Sequence, residues 1–268
     1  MFASKDFQSW GKDNAILFAA VMTKIEGRKD DQLLRTYEFR GFPSMAILDS
    51  DANAITKSVP RDLFSMQNVV AASTEYAKLS ADAAAGKKVD PAAWYISKLG
   101  LGKLTAQEAK EQFADAGLAG EAKTKAEQML FVLEMTELSK SARGREATAE
   151  DKMEACVAVY EAFKAGKRLP KGASCETWVD DMLIDAAKSN NDKEAFAHSY
   201  ERVKTRHLKR IEEMKVFLAR YQAEAEDSKA DEAKRKRAET TVGRIEQIID
   251  GTTGTLDRLE ALAKKLKS

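Results

Sequence analysis

The fold prediction depends most on residues 37–49, which read YEFRGFPSMAILD. The Gly-Phe-Pro-Ser segment within this stretch predicts a turn, and the apolar residues 45–48 after it predict a strand. The polar residues 49–53 predict a second turn, and residues 54–59 predict a second strand. Because so short a link cannot make a parallel crossover, the two strands are expected to form an antiparallel hairpin.

An apolar run precedes this stretch. Residues 15–22 are all apolar, which is typical of a short buried strand. Helix signals predict a short helix over residues 4–12, a brief helix that ends before Gly41, and a longer helix over residues 62–79. The predicted order over the first 80 residues is therefore helix, strand, short helix, turn, hairpin and helix.

Residues 37–49 and this order of elements resemble the thioredoxin superfamily. In that family a tyrosine, a glycine and a cis-proline precede a core strand that ends in Asp. The resemblance covers about residues 1–80 and implies a partial α+β thioredoxin-like domain. It also implies that Phe42 and Pro43 form a peptide-binding loop, because the family contacts bound peptides there.

The chain departs from that family before residue 15. Neither a CxxC motif nor the strand that normally lies between residues 15–22 and 45–48 is present. Strands without that neighbour need another partner, because an unpaired buried N–H or C=O group costs about 1–3 kcal/mol. Three explanations stay open: the chain begins late relative to the family, its sheet is rewired, or a second molecule supplies the strand.

Composition and charge limit the classes of function. Charged residues make up 32% of the chain and aromatic residues 7%, and only four prolines occur, so a larger all-α region is expected after the first domain. The formal net charge of +1 gives no overall field that would attract nucleic acid. No apolar run approaches the roughly 20 residues of a membrane span. The N-terminus carries no recognisable export signal, which leaves two compartments open: cytoplasmic as written, or exported if a signal lies upstream.

Helix signals divide the rest of the chain into a helical domain, residues 81–190, and a long helical hairpin or coiled-coil-like region, residues 191–268. Asp90 followed by proline predicts one helix start. In the last predicted helix the apolar residues approximate a heptad stripe with a thin centre at residues 252–254. This hairpin is also the predicted surface for homo-oligomerisation.

Few side chains are candidates for thiol reactions, disulfide formation or metal binding. Cys156 is expected on the buried face of a helix, whereas Cys175 lies in a loop and is expected to be accessible. A disulfide between them is an option in an oxidising compartment. His198 and His207 lie nine residues apart, a spacing that does not favour a metal site.

Charged clusters are interpreted as solvated helix surfaces. The basic ones are residues 204–210 and 234–237, and the acidic one comprises Asp180, Asp181 and Asp185. No residue is assigned a catalytic role, and no metal or cofactor is predicted.

These expectations favour a non-catalytic thioredoxin-fold protein that acts as a protein-binding or scaffold module, with an unidentified protein partner and no nucleic acid. Two alternatives stay open. One is a thiol-disulfide oxidoreductase or isomerase whose CxxC lies upstream of this chain. The other is a structural protein that oligomerises through its C-terminal helices.

Overall fold

The computed structural model describes residues 4–18, 26–27, 32–41, 44–49, 51–57, 59–227 and 231–267. The chain is 72% helical. The elements are α1 (Lys5–Asn14), α2 (Leu33–Thr36), β1 (Ile47–Leu48), β2 (Ala54–Thr56), α3 (Leu63–Ala84), α4 (Pro91–Gly100), α5 (Ala106–Phe113), α6 (Gly120–Ala142), α7 (Ala149–Lys164), α8 (Glu176–Asn190), α9 (Lys193–Glu226) and α10 (Glu232–Lys267).

The predicted thioredoxin-like fold is wrong. The described residues contain only a two-stranded sheet and no α/β core of that kind. The predicted hairpin itself is confirmed, because β1 and β2 pair antiparallel with Ile47 opposite Thr56. Two strands this short cannot enclose a core of their own. Ile47 and Ile55 instead pack against a cluster around Val69 on α3, so the sheet covers one side of a helical core.

The predicted buried strand at residues 15–22 is wrong for the residues that the structure describes. Residues 15–18 form no strand, and residues 19–22 lie outside the described residues. Ile16 is fully exposed, and Leu17 and Phe18 are 61% and 70% exposed. An apolar run of this length fits a strand by composition, but a strand also needs a neighbour, and within the described ranges β1 and β2 pair only with each other.

The first of two compact units comprises Met1–Lys140 and Arg168–Glu176. Asp90 caps α4 as predicted, since its carboxylate accepts the N–H groups of Ala92 and Ala93. Gly100, at the end of α4, allows α4 to approach α3 closely: a Cβ there would lie 2.6 Å from the Cβ of Ala72. The carboxylate of Glu137 on α6 accepts the first N–H of α5, which fixes α5 against α6.

The second unit comprises Ser141–Lys167 and Thr177–Ser268. Here α9 and α10 pack along each other and form what is called below the hairpin. Every seventh residue of α10 is buried over most of its length: Ala238, Ile245, Thr252, Leu259 and Leu266. Together with partly buried residues four positions further on, these residues form a stripe with heptad spacing.

Thr252 is a buried member of this stripe, although the sequence predicts a thin centre of the stripe at residues 252–254. Its hydroxyl donates a hydrogen bond to the carbonyl oxygen of Ile248 at 2.7 Å, which satisfies the polar group without a partner on α9. None of the helices in the described part of the chain is both long and apolar enough to cross a membrane.

Candidate functional site

The predicted peptide-binding loop at Phe42 and Pro43 lies outside the described residues, so its role stays a prediction. The residues before it are held by two contacts to the β1–β2 hairpin. Tyr37 donates its hydroxyl proton to the carbonyl oxygen of Ala52 at 2.8 Å, and Lys57 donates to the Glu38 carboxylate at 3.1 Å. These contacts fix the turn after α2 against β1 and β2.

Cys156 is a half-buried free thiol on α7. Its sulfur donates to the carbonyl oxygen of Met182 at 3.4 Å. Burial, and after it the nearby carboxylate of Asp185, raise the pKa of Cys156. The thiol therefore stays protonated at neutral pH, whereas a nucleophilic cysteine needs a lowered pKa.

Cys175 is not accessible, so that prediction is wrong. It is a free thiol, only 2% exposed, in the first unit. Burial is the main cause that raises the pKa of Cys175. The loop composition that suggested exposure gave no information on its packing against α6, where the Cys175 sulfur lies 4.0 Å from the carbonyl oxygen of Val132. A disulfide between Cys156 and Cys175 stays a prediction.

The two histidines have separate surroundings. The ring of His198 packs against Phe163, with centroids 5.1 Å apart. Burial, and after it the charge of Arg206, lower the pKa of His207, so its ring is largely neutral at pH 7. Among the described residues no three His, Cys, Asp or Glu side chains come close enough to hold a metal ion.

The acidic cluster on α8 contains a carboxylate with three side-chain hydrogen bonds, that of Asp180. The prediction that the cluster is solvated is wrong for this residue. Asp180 is only 3% exposed. Its carboxylate accepts a hydrogen bond from Ser199 at 2.6 Å and two from Arg202, at 2.9 Å from Nε and 2.5 Å from Nη2. Arg202 thus binds Asp180 with two nitrogens, the geometry that gives the strongest carboxylate pairing.

A second pair lies beside the first. Arg206, one turn after Arg202 on α9, donates to the carboxylate of Asp181 and also to the carbonyl oxygen of Thr177. Burial raises the pKa of Asp181, and the charge of Arg206 opposes that rise. Because the Asp181 side chain is still 45% exposed, the charged pair is the state expected at neutral pH.

This polar cluster joins two helices, and its central carboxylate, Asp180, is bound on both oxygens by Ser199 and Arg202. Ser199 is fully buried, and its hydroxyl donates to Asp180 instead of facing a base. The hydrogen bonds and ion pairs of the cluster fix α9 against α8. The sequence contained a signal, since Asp180 and Asp181 are adjacent and Arg202 and Arg206 are four residues apart, but reading it required knowing that α8 and α9 are neighbours.

The hairpin itself has two unlike halves. The proximal half comprises residues 193–207 of α9 and 251–267 of α10, and the distal half comprises residues 208–226 and 231–250. Exposed large apolar side chains in the described hairpin all lie in the distal half: Leu208 at 44%, Val216 at 71%, Phe217 at 45% and Ile248 at 36%. The distal half is therefore the part of the hairpin with apolar surface left uncovered.

Two basic segments of the sequence lie within or next to the distal half of the hairpin. Within residues 204–210, Lys204 pairs with Glu260 at 2.9 Å and Lys209 with Glu213 at 3.8 Å. Residues 234–237, in the first turns of α10, form no salt bridge with the acidic residues that the structure describes. Acidic residues nearby, including Asp231 and Glu232, nevertheless keep the local charge balanced.

No family model matches this chain, and no curated protein or solved structure matches it either. The fold itself defines the chain as a helical protein of two compact units with a long C-terminal helical hairpin.

Proposed function

We propose that the protein is a non-catalytic helical scaffold that binds another protein through the distal half of its hairpin. The observation that carries the proposal is the exposed apolar set on that half, above all the adjacent residues Val216 and Phe217. Their helix already has a covered stripe facing α10, so these two side chains are additional to the internal packing.

Val216 and Phe217 would gain free energy from burial against a partner. Fully burying an exposed Val or Phe side chain contributes about 1.5–3 kcal/mol. The isolated hairpin leaves most of this gain unused at Val216, which is 71% exposed, and nearly half of it at Phe217, which is 45% exposed. Large apolar side chains at the centre of an interface, surrounded by polar residues, are the typical source of binding energy. Charged residues surround these two, including Lys215 and Arg220.

The chemistry of the remaining groups supports a non-catalytic role. Both thiols have raised pKa values, and the carboxylate of Asp180 is buried and bound by Ser199 and Arg202. These observations disfavour thiol chemistry in this chain.

The test is a comparison of three forms of the full chain as baits for affinity capture with quantitative mass spectrometry. The forms are the native chain, Val216→Ser/Phe217→Ser, and the control Met153→Ser/Val157→Ser, which changes another exposed apolar pair on α7. At least one protein is expected to be captured by the native chain and the control, and to fall about tenfold or more with the distal variant, as for loss of an interface anchor.

Two results would contradict the proposal: equal capture by the native chain and the distal variant, or no specific capture by the native chain. Circular dichroism is expected to give the same helix content for all three forms. Sedimentation tests the alternative in which the partner is a second copy of this chain. In that case the native chain has a mass that rises with concentration, and the distal variant stays monomeric.

A further inference from the structure

α10 contains an unusual segment in its interior, Gly251-Thr252-Thr253-Gly254-Thr255. Glycine is the least favourable residue in a helix apart from proline. A glycine in a helix is usually explained by close packing, but a Cβ added at Gly251 or Gly254 would meet no atom within 4 Å. Neither glycine is therefore required by the contacts of the helix.

The threonines of this segment weaken it further. Thr252 donates its hydroxyl proton to the carbonyl oxygen of Ile248 at 2.7 Å, and Thr255 donates to that of Gly251 at 2.9 Å. Such bonds compete with the backbone N–H for the same carbonyl oxygen and tend to bend helices. Both carbonyls lie in the turn where glycine already reduces helix stability.

The packing around this segment adds little to hold it. The ion pair between Lys204 and Glu260 places the following turns of α9 beside residues 253–259 of α10, because the two helices run in opposite directions. In those turns residues 208–210 of α9 are exposed. Of residues 251–255 of α10, Thr252 alone is buried. No large apolar side chain of the segment therefore holds it against α9.

We propose that residues 251–255 are a flexion point of α10, at which the helix opens and bends, so that its two parts move separately. The flexion point lies at the edge of the proximal half of the hairpin, directly next to the distal half. It does not depend on the proposed binding function. If that function is correct, the flexion point lets the distal surface adjust to a partner.

Hydrogen exchange of the native chain, followed amide by amide, tests the opening. We expect the amides of residues 252–256 to exchange about tenfold or more faster than those of residues 245–249 and 259–263, since local opening requires less free energy there. In the variant Gly251→Ala/Gly254→Ala, each replacement is expected to slow exchange of residues 252–256 about fivefold, because alanine favours the helix.

The matched control is Gly243→Ala, which also places a Cβ in open space on the same helix. It is expected to leave the exchange of residues 252–256 unchanged. Equal protection along α10 in the native chain, or no change of exchange in the double variant, would overturn the proposal.

Residual dipolar couplings test the bending. The two parts of α10, residues 232–250 and 256–267, are expected to need alignment tensors of different magnitude in the native chain. One tensor is expected to fit both parts in Gly251→Ala/Gly254→Ala. A single tensor for both parts of the native helix would exclude independent motion.

Discussion

The two halves of the hairpin are built from the same pair of helices but differ in what their apolar residues contact. In the proximal half, Phe196, Val203 and Leu259 are among the side chains at most 6% exposed, and Ser199 and Arg202 bind Asp180 of α8. In the distal half, three residues are buried, Ile211, Ala238 and Ile245, whereas Val216 and Phe217 face outward. The buried side chains of the proximal half thus stabilise the fold, whereas Val216 and Phe217 of the distal half remain largely or partly exposed to solvent.

The largest expected contrast between the halves is in phenylalanine replacements. Phe196→Ala removes a 5%-exposed ring that stacks on Tyr200 with centroids 5.0 Å apart, and is expected to lower the free energy of unfolding by about 4 kcal/mol. Phe217→Ala is expected to change it by less than about 0.5 kcal/mol. Urea denaturation of the two variants measures both values, and similar losses would remove the distinction between the halves.

The next contrast concerns charged residues. Asp180→Ala removes the buried carboxylate that accepts hydrogen bonds from Ser199 and Arg202. Because the Arg202 side chain is 42% exposed, the loss is expected to cost about 2 kcal/mol, less than for a fully buried ion pair. Glu213→Ala breaks an exposed pair with Lys209 in the distal half and is expected to cost about 0.5 kcal/mol or less.

Urea denaturation of Asp180→Ala, of Asp180→Asn and of Glu213→Ala gives the comparison. The amide of Asn keeps an acceptor for Ser199 and is expected to recover part of the loss. A cost for Asp180→Ala no larger than that for Glu213→Ala would mean that the α8–α9 polar cluster does not fix the proximal half.

A smaller effect is expected at the start of α9. Asp192 accepts the N–H of Ala195, the hydroxyl of Tyr160 and the ammonium group of Lys164. The backbone hydrogen bond from Ala195, followed by that from Tyr160, lowers the pKa of Asp192 to about 2. Asp192→Ala is expected to cost about 1–2 kcal/mol at pH 7, as for loss of a helix N-cap.

The pH dependence of that cost follows from the direction of the shift. A carboxyl whose pKa is lower in the folded state stabilises the fold above its unfolded pKa, and this contribution is lost as the pH falls through the folded value. The difference between native chain and Asp192→Ala is therefore expected to be constant above about pH 5 and to shrink between about pH 4 and pH 2. Denaturation series at these pH values check it, and a difference that grows on acidification would be inconsistent with the bonded carboxylate.

The sequence predicts the helical part of the chain well because helix signals are local. The Asp90 cap and the heptad spacing of α10 depend on residues within one or two turns of each other. The strand predicted at residues 15–22 failed because apolar composition identifies a segment suited to burial without identifying what covers it. The predicted thioredoxin-like fold is wrong for the same reason, because it required residues 15–22 to pair in a sheet.

The polar cluster at Asp180 was missed for a related reason. An Asp on a helix is usually solvated, and the burial of this one depends on Arg202 and Ser199, about twenty residues later in the chain. Likewise, the exposure of Phe217 could not be inferred from periodicity, because it lies next to Leu218, which belongs to the covered stripe of α9. Both cases depend on how α9 is rotated about its axis.

Site-specific photo-crosslinking tests the binding role of the distal half most directly. A photoreactive amino acid placed at Phe217 in the distal half, and separately at the exposed Glu201 in the proximal half, reports which surface lies against a partner in the cell. We expect a discrete crosslinked protein from position 217 and none from position 201. A crosslinked product from position 201 alone, or from neither position, would contradict a contact surface on the distal half.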